Sequence, residues 1–141
     1  MNIVKVEKET QLKDAFAVRV KVFVDEQKVP PEEEIDQFED AATHFVVYDH
    51  GKPIGAGRLR ELDGYGKLER ICIAADYREK GIGKLIMDAI EVEGKNQGYH
   101  AFKLNSQTQA IGFYRKLGYE VCSDEFLDAG IPHVTMKKTE N

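Results

Sequence analysis

Between Tyr65 and Ser106 the hydrophobic period changes twice, and this restricts the fold more than any other feature of the chain. "GYGKLERICIA" reads as a strand that leaves a glycine-rich turn. From Gly81 the apolar residues Ile82, Leu85, Ile86, Ala89 and Ile90 take the i, i+3, i+4, i+7, i+8 spacing of one helical face, and "AFKLNS" returns to strand character. A strand, a helix and a strand in succession form a crossover, so the two strands are expected to lie parallel in one sheet.

The flanking segments predict antiparallel neighbours. "NIVKV" alternates as a strand does, and Thr10 offers an N-cap for a helix carrying Leu12, Phe16, Val20, Phe23 and Val24. In "VPPEEEIDQFED" the prolines stop one element, and Glu32 to Glu34 suit the first turn of a short second helix. "THFVVYDHGKPIGAGRLREL" reads as two strands joined at "DHGK", where Gly51 can take a positive φ. The crossover helix is expected to end near Gly98. "TQAIGFYRKLG" is a helix with Ala110, Phe113, Tyr114 and Leu117 on one face and Gly118 as its stop, and "YEVCS" and "HVTMKK" close the chain as strands. The order β-α-α-β-β-β-α-β-α-β-β predicts an α/β (mixed α+β) fold, a mostly antiparallel mixed sheet with helices on both faces. With no repeat, linker or low-complexity tract, the 141 residues are expected to form one domain, 1–141.

Charge narrows the partners. Charged residues of both signs make up 32 % of the chain, yet the net charge is −5, which offers no general attraction to nucleic acid or an anionic bilayer. Neither is expected as a partner. No apolar run approaches the ~20 residues of a membrane helix, and "MNIVKVEKE" lacks a secretory signal, so a cytoplasmic location is expected. Cys72 and Cys122, in apolar strand-like segments without C-x-x-C spacing, read as buried fillers, and no metal is expected.

The loop "DYREKGIGK" leaves a strand and enters the crossover helix, whose first amides have no carbonyl partners and carry the positive end of the dipole. Gly81 and Gly83 let a ligand approach the backbone, and Arg78, Lys80 and Lys84 add charge, a combination that suits phosphate or pyrophosphate. A Walker A loop is excluded because Leu85 stands where it needs Ser or Thr. A Rossmann fingerprint is excluded because only G-x-G is present, far into the chain. An ordinary helix start, with glycines for close packing, is the other reading.

Four segments in order, "VRVKVFVDEQKVPPEEEID", "ERICIAADYREKGIGKLIM", "LNSQTQAIGFYRKLGYEV" and "DAGIPHVTM", give a chain that resembles the GNAT superfamily of acyl-CoA-dependent N-acyltransferases along nearly its whole length, particularly its small stand-alone bacterial members. The resemblance implies a GNAT fold and transfer of an acetyl group from acetyl-CoA to a primary amine, on a small molecule or on a protein lysine or amino terminus, by direct attack in a ternary complex. Coenzyme A is implied as part of the acyl-donor substrate. Its pyrophosphate would lie on the loop of Arg78, Glu79, Lys80, Gly81, Ile82, Gly83 and Lys84. The pantetheine arm would run between splayed parallel strands along the main chain of Ile71, Cys72 and Ile73, where an amide could also stabilise the oxyanion.

Gln107 is the nearest equivalent of an Asn that many relatives carry. Tyr114 matches the tyrosine that protonates the departing thiolate, although the residues alone make it one member of a helical apolar face. Glu69 is the first candidate for the base that deprotonates the amine, ahead of Glu26, Glu34 and His44. The acidic run Glu32, Glu33, Glu34, Asp36, Glu39 and Asp40 falls where the family shapes its acceptor pocket, although most of these residues read first as a solvated helix start. His133 and Met136 match the family pattern and read as core or hairpin residues. A non-catalytic acyl-CoA-binding sensor or interaction module is the alternative function, and a homodimer is left open.

Overall fold

The computed structural model describes residues 1–139. Strands β1 (Asn2–Lys5), β2 (Thr43–Asp49), β3 (Lys52–Leu62), β4 (Tyr65–Ile73), β5 (Ala101–Gln107), β6 (Glu120–Val121), β7 (Phe126–Asp128) and β8 (Ile131–Thr139) make one sheet. Its order is β1-β2-β3-β4-β5-β8-β6, with β7 paired to β8. The expected mixed sheet is present: β4 and β5 are parallel and the other pairs antiparallel.

Alternation along the strands builds two cores. Phe45 and Val47 of β2 face the helix α3 (Ile82–Asn96), whose Ile82, Ile86, Met87 and Ile90 are fully buried; Val46 and Cys72 face Ala15, Val18 and Val22 beneath α1 (Glu9–Arg19). Each such aliphatic side chain stabilises the fold by roughly 1.5–3 kcal/mol. Helices therefore cover both faces. A short α2 (Pro31–Glu34) and α4 (Ile111–Lys116) complete the helices, α4 following a 3₁₀ turn at Thr108–Ala110. Among the described residues no helix is long and apolar enough to cross a membrane.

Four local expectations are corrected. The N-cap of α1 is Lys8, not Thr10, because the Gln11 carboxamide reaches back to accept the amides of Glu7 and Lys8 at 2.8 and 3.1 Å. Its buried stripe is Ala15, Val18, Arg19 and Val22, while Val20 is 37 % exposed. The cause is twofold: Arg19 is drawn inward by carboxylates, and from Val20 to Glu26 the helix widens to π geometry, Gln27 N–H reaching Val22 O at 3.1 Å. Phe113, expected on a buried face, is 39 % exposed. Finally, three strands close the chain rather than two, since Phe126–Asp128 pairs with Ile131–His133 across a turn in which Ala129 and Gly130 both have positive φ.

Candidate functional site

A cleft opens where β4 parts from β5. The two strands pair only from Gly66 to Leu68 against Phe102 to Leu104. Just beyond, Ala56 to Arg58 of β3 oppose Cys72 to Glu69 of β4, so β4 holds one extra residue, and Arg70 sits there at φ +58°. Such a bulge bends its strand and ends the pairing. The resulting cavity, about 260 Å³, has Glu69, Arg70 and Ile71 on one wall, Asn105 and Gln107 on the other, and Tyr114 and His133 among its remaining lining.

The three main-chain candidates separate. Ala74 N–H donates to Ile54 O at 2.8 Å, so strand alternation turns the Cys72 amide and carbonyl towards β3 and those of Ile73 away from it. The Ile73 carbonyl accepts from Arg78 Nε at 3.0 Å, and Ile71 lines the cleft. The Cys72 side chain packs beneath α1, where burial pushes its thiol up to about 12. Cys122 is exposed, not the buried filler expected, because it follows the two-residue β6 at the sheet's margin.

At the mouth of α3, Gly81 is the N-cap at φ +79° without a side-chain cap, and Glu79 is also left-handed at φ +64°. A Cβ on Gly81 would meet nothing within 4 Å, so the space beside the N-cap of α3 is open. Gly83 serves packing: a Cβ there would stand 3.0 Å from Phe113 Cζ and 3.5 Å from Ile73 Cδ1, which places the loop against both the end of β4 and α4. The cations are partly engaged. Arg78 pairs with Glu26 at 2.8 Å and Lys84 with Asp88 at 2.8 Å, while the Lys80 ammonium lies over the Tyr77 ring.

Tyr114 borders the cleft half-buried, its ring edge-on to Phe113 and Tyr119. Desolvation first, and the neighbouring Cys72 second, raise its hydroxyl to about 12, so it stays protonated at neutral pH. Gln107 is held by Gln27 at 2.8 Å and by Gln109.

Glu69 is caged by cations: Arg60 Nε at 2.7 Å, Arg58 Nη2 at 2.9 Å and Lys67 Nζ at 3.0 Å. Burial would raise its pKa, but the Arg60 hydrogen bonds and the Arg58 and Lys67 charges outweigh it and hold the carboxyl at about 2. Such a carboxylate keeps its charge and accepts a proton poorly. The other base candidates lie elsewhere. Glu26 is engaged by Arg78, and His44 is buried against Phe16, with Nε2 2.8 Å from Glu39 O. Burial lowers the His44 pKa and raises that of Glu34, which borders a smaller adjoining cavity.

The acidic run divides. Glu34 and Glu39 turn inward to Arg19 at 3.0 and 2.6 Å; Asp36 makes a two-pronged pair with the buried Arg58, both contacts 2.8 Å; and Arg70 reaches Glu34 at 2.9 Å and Asp36 at 3.2 Å. Glu32, Glu33 and Asp40 remain exposed. Sequence reasoning missed the arginines Arg58 and Arg70, and it passed over His133 as a cleft residue. A signal for the last existed: alternation in "IPHVTM" puts His133 opposite the face of Val134 and Met136.

Residues 8–140 match the family model described as Acetyltransferase (GNAT) domain. The chain is 57 % identical over 139 residues to "Uncharacterized N-acetyltransferase YjcF" of Bacillus subtilis (strain 168), covering 98 % of this chain and 99 % of that protein. Its backbone is similar to the crystal structure of a putative N-acetyltransferase from Lactobacillus plantarum, with TM-score 0.92 and 26 % identity over 99 % of this chain and 98 % of that one. It also shares its fold with a GNAT family acetyltransferase from Elizabethkingia anophelis that has acetyl-CoA bound, with TM-score 0.77 and 16 % identity over 98 % and 97 % of the two chains.

Proposed function

The chain belongs to the GNAT acetyltransferase family, and on that premise we propose that it transfers an acetyl group from acetyl-CoA to a primary amine by direct attack in a ternary complex. The observation that carries this reading is the cleft between splayed parallel strands, with a glycine-opened helix mouth packed against α4 and Tyr114 in the lining. The open amides of α3 suit the pyrophosphate. The main-chain edge of β4 beside Ile71 suits the acyl-bearing arm and the oxyanion that forms on attack.

A primary ammonium first loses a proton, and the free lone pair attacks the thioester carbon. As the C–S bond breaks, its electron pair goes to sulfur, which takes the Tyr114 proton. Tyrosinate regains a proton from the positively charged nitrogen of the tetrahedral adduct, so the products are amide, free thiol and one proton released. With its pKa near 12, Tyr114 gives up its proton only in concert with that last transfer, because the adduct nitrogen is by far the stronger acid.

Calorimetric titration with acetyl-CoA and coenzyme A, followed by thiol release across an amine panel, tests the reading. Saturable binding with amine-dependent thiol release is the expected result. Binding without release would favour an acyl-CoA sensor, and no binding would return the α3 mouth to an ordinary helix start.

A further inference from the structure

We propose that His133 is the base that takes the proton from the acceptor ammonium, an inference that rests on the acetyltransfer reading above. His133 lies on β8, opposite Gln107 of β5 in register, and borders both the main cleft and its smaller extension. The residue is only 9 % exposed, and its ring stacks on Phe126 with centroids 6.1 Å apart. Its Nδ1 is 2.7 Å from the Ile131 carbonyl oxygen. A carbonyl only accepts, so the proton of the neutral imidazole belongs on Nδ1, and Nε2 is left with its lone pair. Among the described residues Nε2 has no hydrogen-bond partner, and it is not a fully buried atom, so it keeps accessible surface on a residue that lines the cleft.

The other titratable groups around the cleft do not fill this role. Lys67 pairs with Glu69, which is also held by Arg58 and Arg60, Arg70 pairs with Glu34 and Asp36, and Glu34 of α2 is buried between Arg19 and Arg70. Tyr114 is the acid, and Glu33 and Asp128 are exposed carboxylates at the rim. Among the described residues that line the cleft, an imidazole whose Nδ1 is committed to a carbonyl and whose Nε2 has no partner is the group best placed to receive the proton. That proton passes from the ammonium nitrogen to Nε2, the ring becomes a cation donating from both nitrogens, and solvent takes the proton after product leaves.

Two measurements test the role. In the wild-type protein with acetyl-CoA bound, ¹⁵N spectra of the histidine rings at pH 8 should show His133 protonated on Nδ1 and bare on Nε2; a ring protonated on Nε2 overturns the proposal. His133→Asn keeps a donor for the Ile131 carbonyl and removes the base. Thiol release is then compared for ethylamine, 2-fluoroethylamine and 2,2,2-trifluoroethylamine, whose basicity falls in that order. The variant should lose about 10²-fold or more in turnover with ethylamine, and progressively less along the series, with acetyl-CoA affinity unchanged. An equal loss with all three amines would mean a positioning role and would overturn the base, as would full turnover with ethylamine. A wild-type protein that binds acetyl-CoA and acetylates none of them would overturn the acetyltransfer reading, and the base with it.

Discussion

Replacing Glu69 with Gln separates a structural carboxylate from a catalytic one, and the size of the effect follows from its cage. The folded protein holds this carboxyl at about 2 instead of 4.5, against an opposing push from burial. A depressed folded pKa contributes stability that is fully present above the unfolded value and is lost as pH falls towards the folded one. At neutral pH the whole interval applies, and at 1.36 kcal/mol per unit it amounts to about 3 kcal/mol; by pH 3 only about 1 kcal/mol remains. Urea unfolding of wild type and Glu69→Gln should therefore differ by about 2–4 kcal/mol at pH 7 and by much less at pH 3. Turnover measured well below the melting transition should stay within about tenfold of wild type, because proton removal from the amine is assigned to another group. A variant as stable as wild type at pH 7 whose turnover falls by 10² or more would refute the cage and restore Glu69 as the base.

Tyr114→Phe should lower turnover by about 10²-fold while leaving acetyl-CoA affinity within twofold in calorimetry, since only the acid is removed. Gly81→Val places a β-branched residue at φ +79° in the open helix mouth and should weaken acetyl-CoA binding at least tenfold, in addition to roughly 1–2 kcal/mol of strain seen in urea unfolding. A chromogenic disulfide reagent should titrate one thiol, Cys122, in the native protein, and Cys72 only after unfolding; two fast thiols would contradict the burial of Cys72. At the bulge, Arg70→Gly and Arg70→Ala lose the same ion pairs, but glycine tolerates φ +58°, so the glycine variant should be about 1 kcal/mol more stable; equal stabilities would mean that the backbone is not strained there.

Where the pattern was local, the sequence could be read. Ile82, Ile86 and Ile90 announce α3 because a helix packed on a sheet must repeat every 3.6 residues, and the crossover then dictates the parallel pair. Long-range charge pairing was not legible. Nothing around Arg19 in the sequence says that Glu34 and Glu39, fifteen and twenty residues away, fold back upon it, so the acidic run looked like a solvated helix start and α1 was given the wrong buried stripe. The β7 hairpin escaped for a smaller reason. Its turn begins with Ala129, a residue that rarely takes positive φ, where Asn or Asp would have signalled the turn. In the candidate site, the glycines of the α3 mouth were visible through motif and spacing, whereas Tyr114 was singled out only by the family resemblance, its spacing alone marking it as one member of a helical apolar face. The cage around Glu69 was not visible, since Arg58 and Arg60 approach it from the adjacent strand β3 and join Lys67, two residues away on β4.

Those hidden arginines also account for the shape of the cleft. A non-glycine residue in the left-handed region costs about 1 kcal/mol or more, so the bulge at Arg70 persists only if contacts elsewhere favour it. They come from the α2 segment: Arg70 donates to the carbonyls of Glu33 and Glu34, both at 3.2 Å, and to Asp36 at 3.2 Å. Asp36 in turn grips Arg58, the β3 residue that opposes Glu69 beside the bulge. The acidic run thus pins the bulge that parts β4 from β5, and the charge pairing that holds it lies at the edge of the opening itself, where Glu34 and Arg70 border the smaller cavity beside Gln107 of β5. A substrate need not force the strands apart, because docking of the acidic segment against β3 and β4 has already held them open.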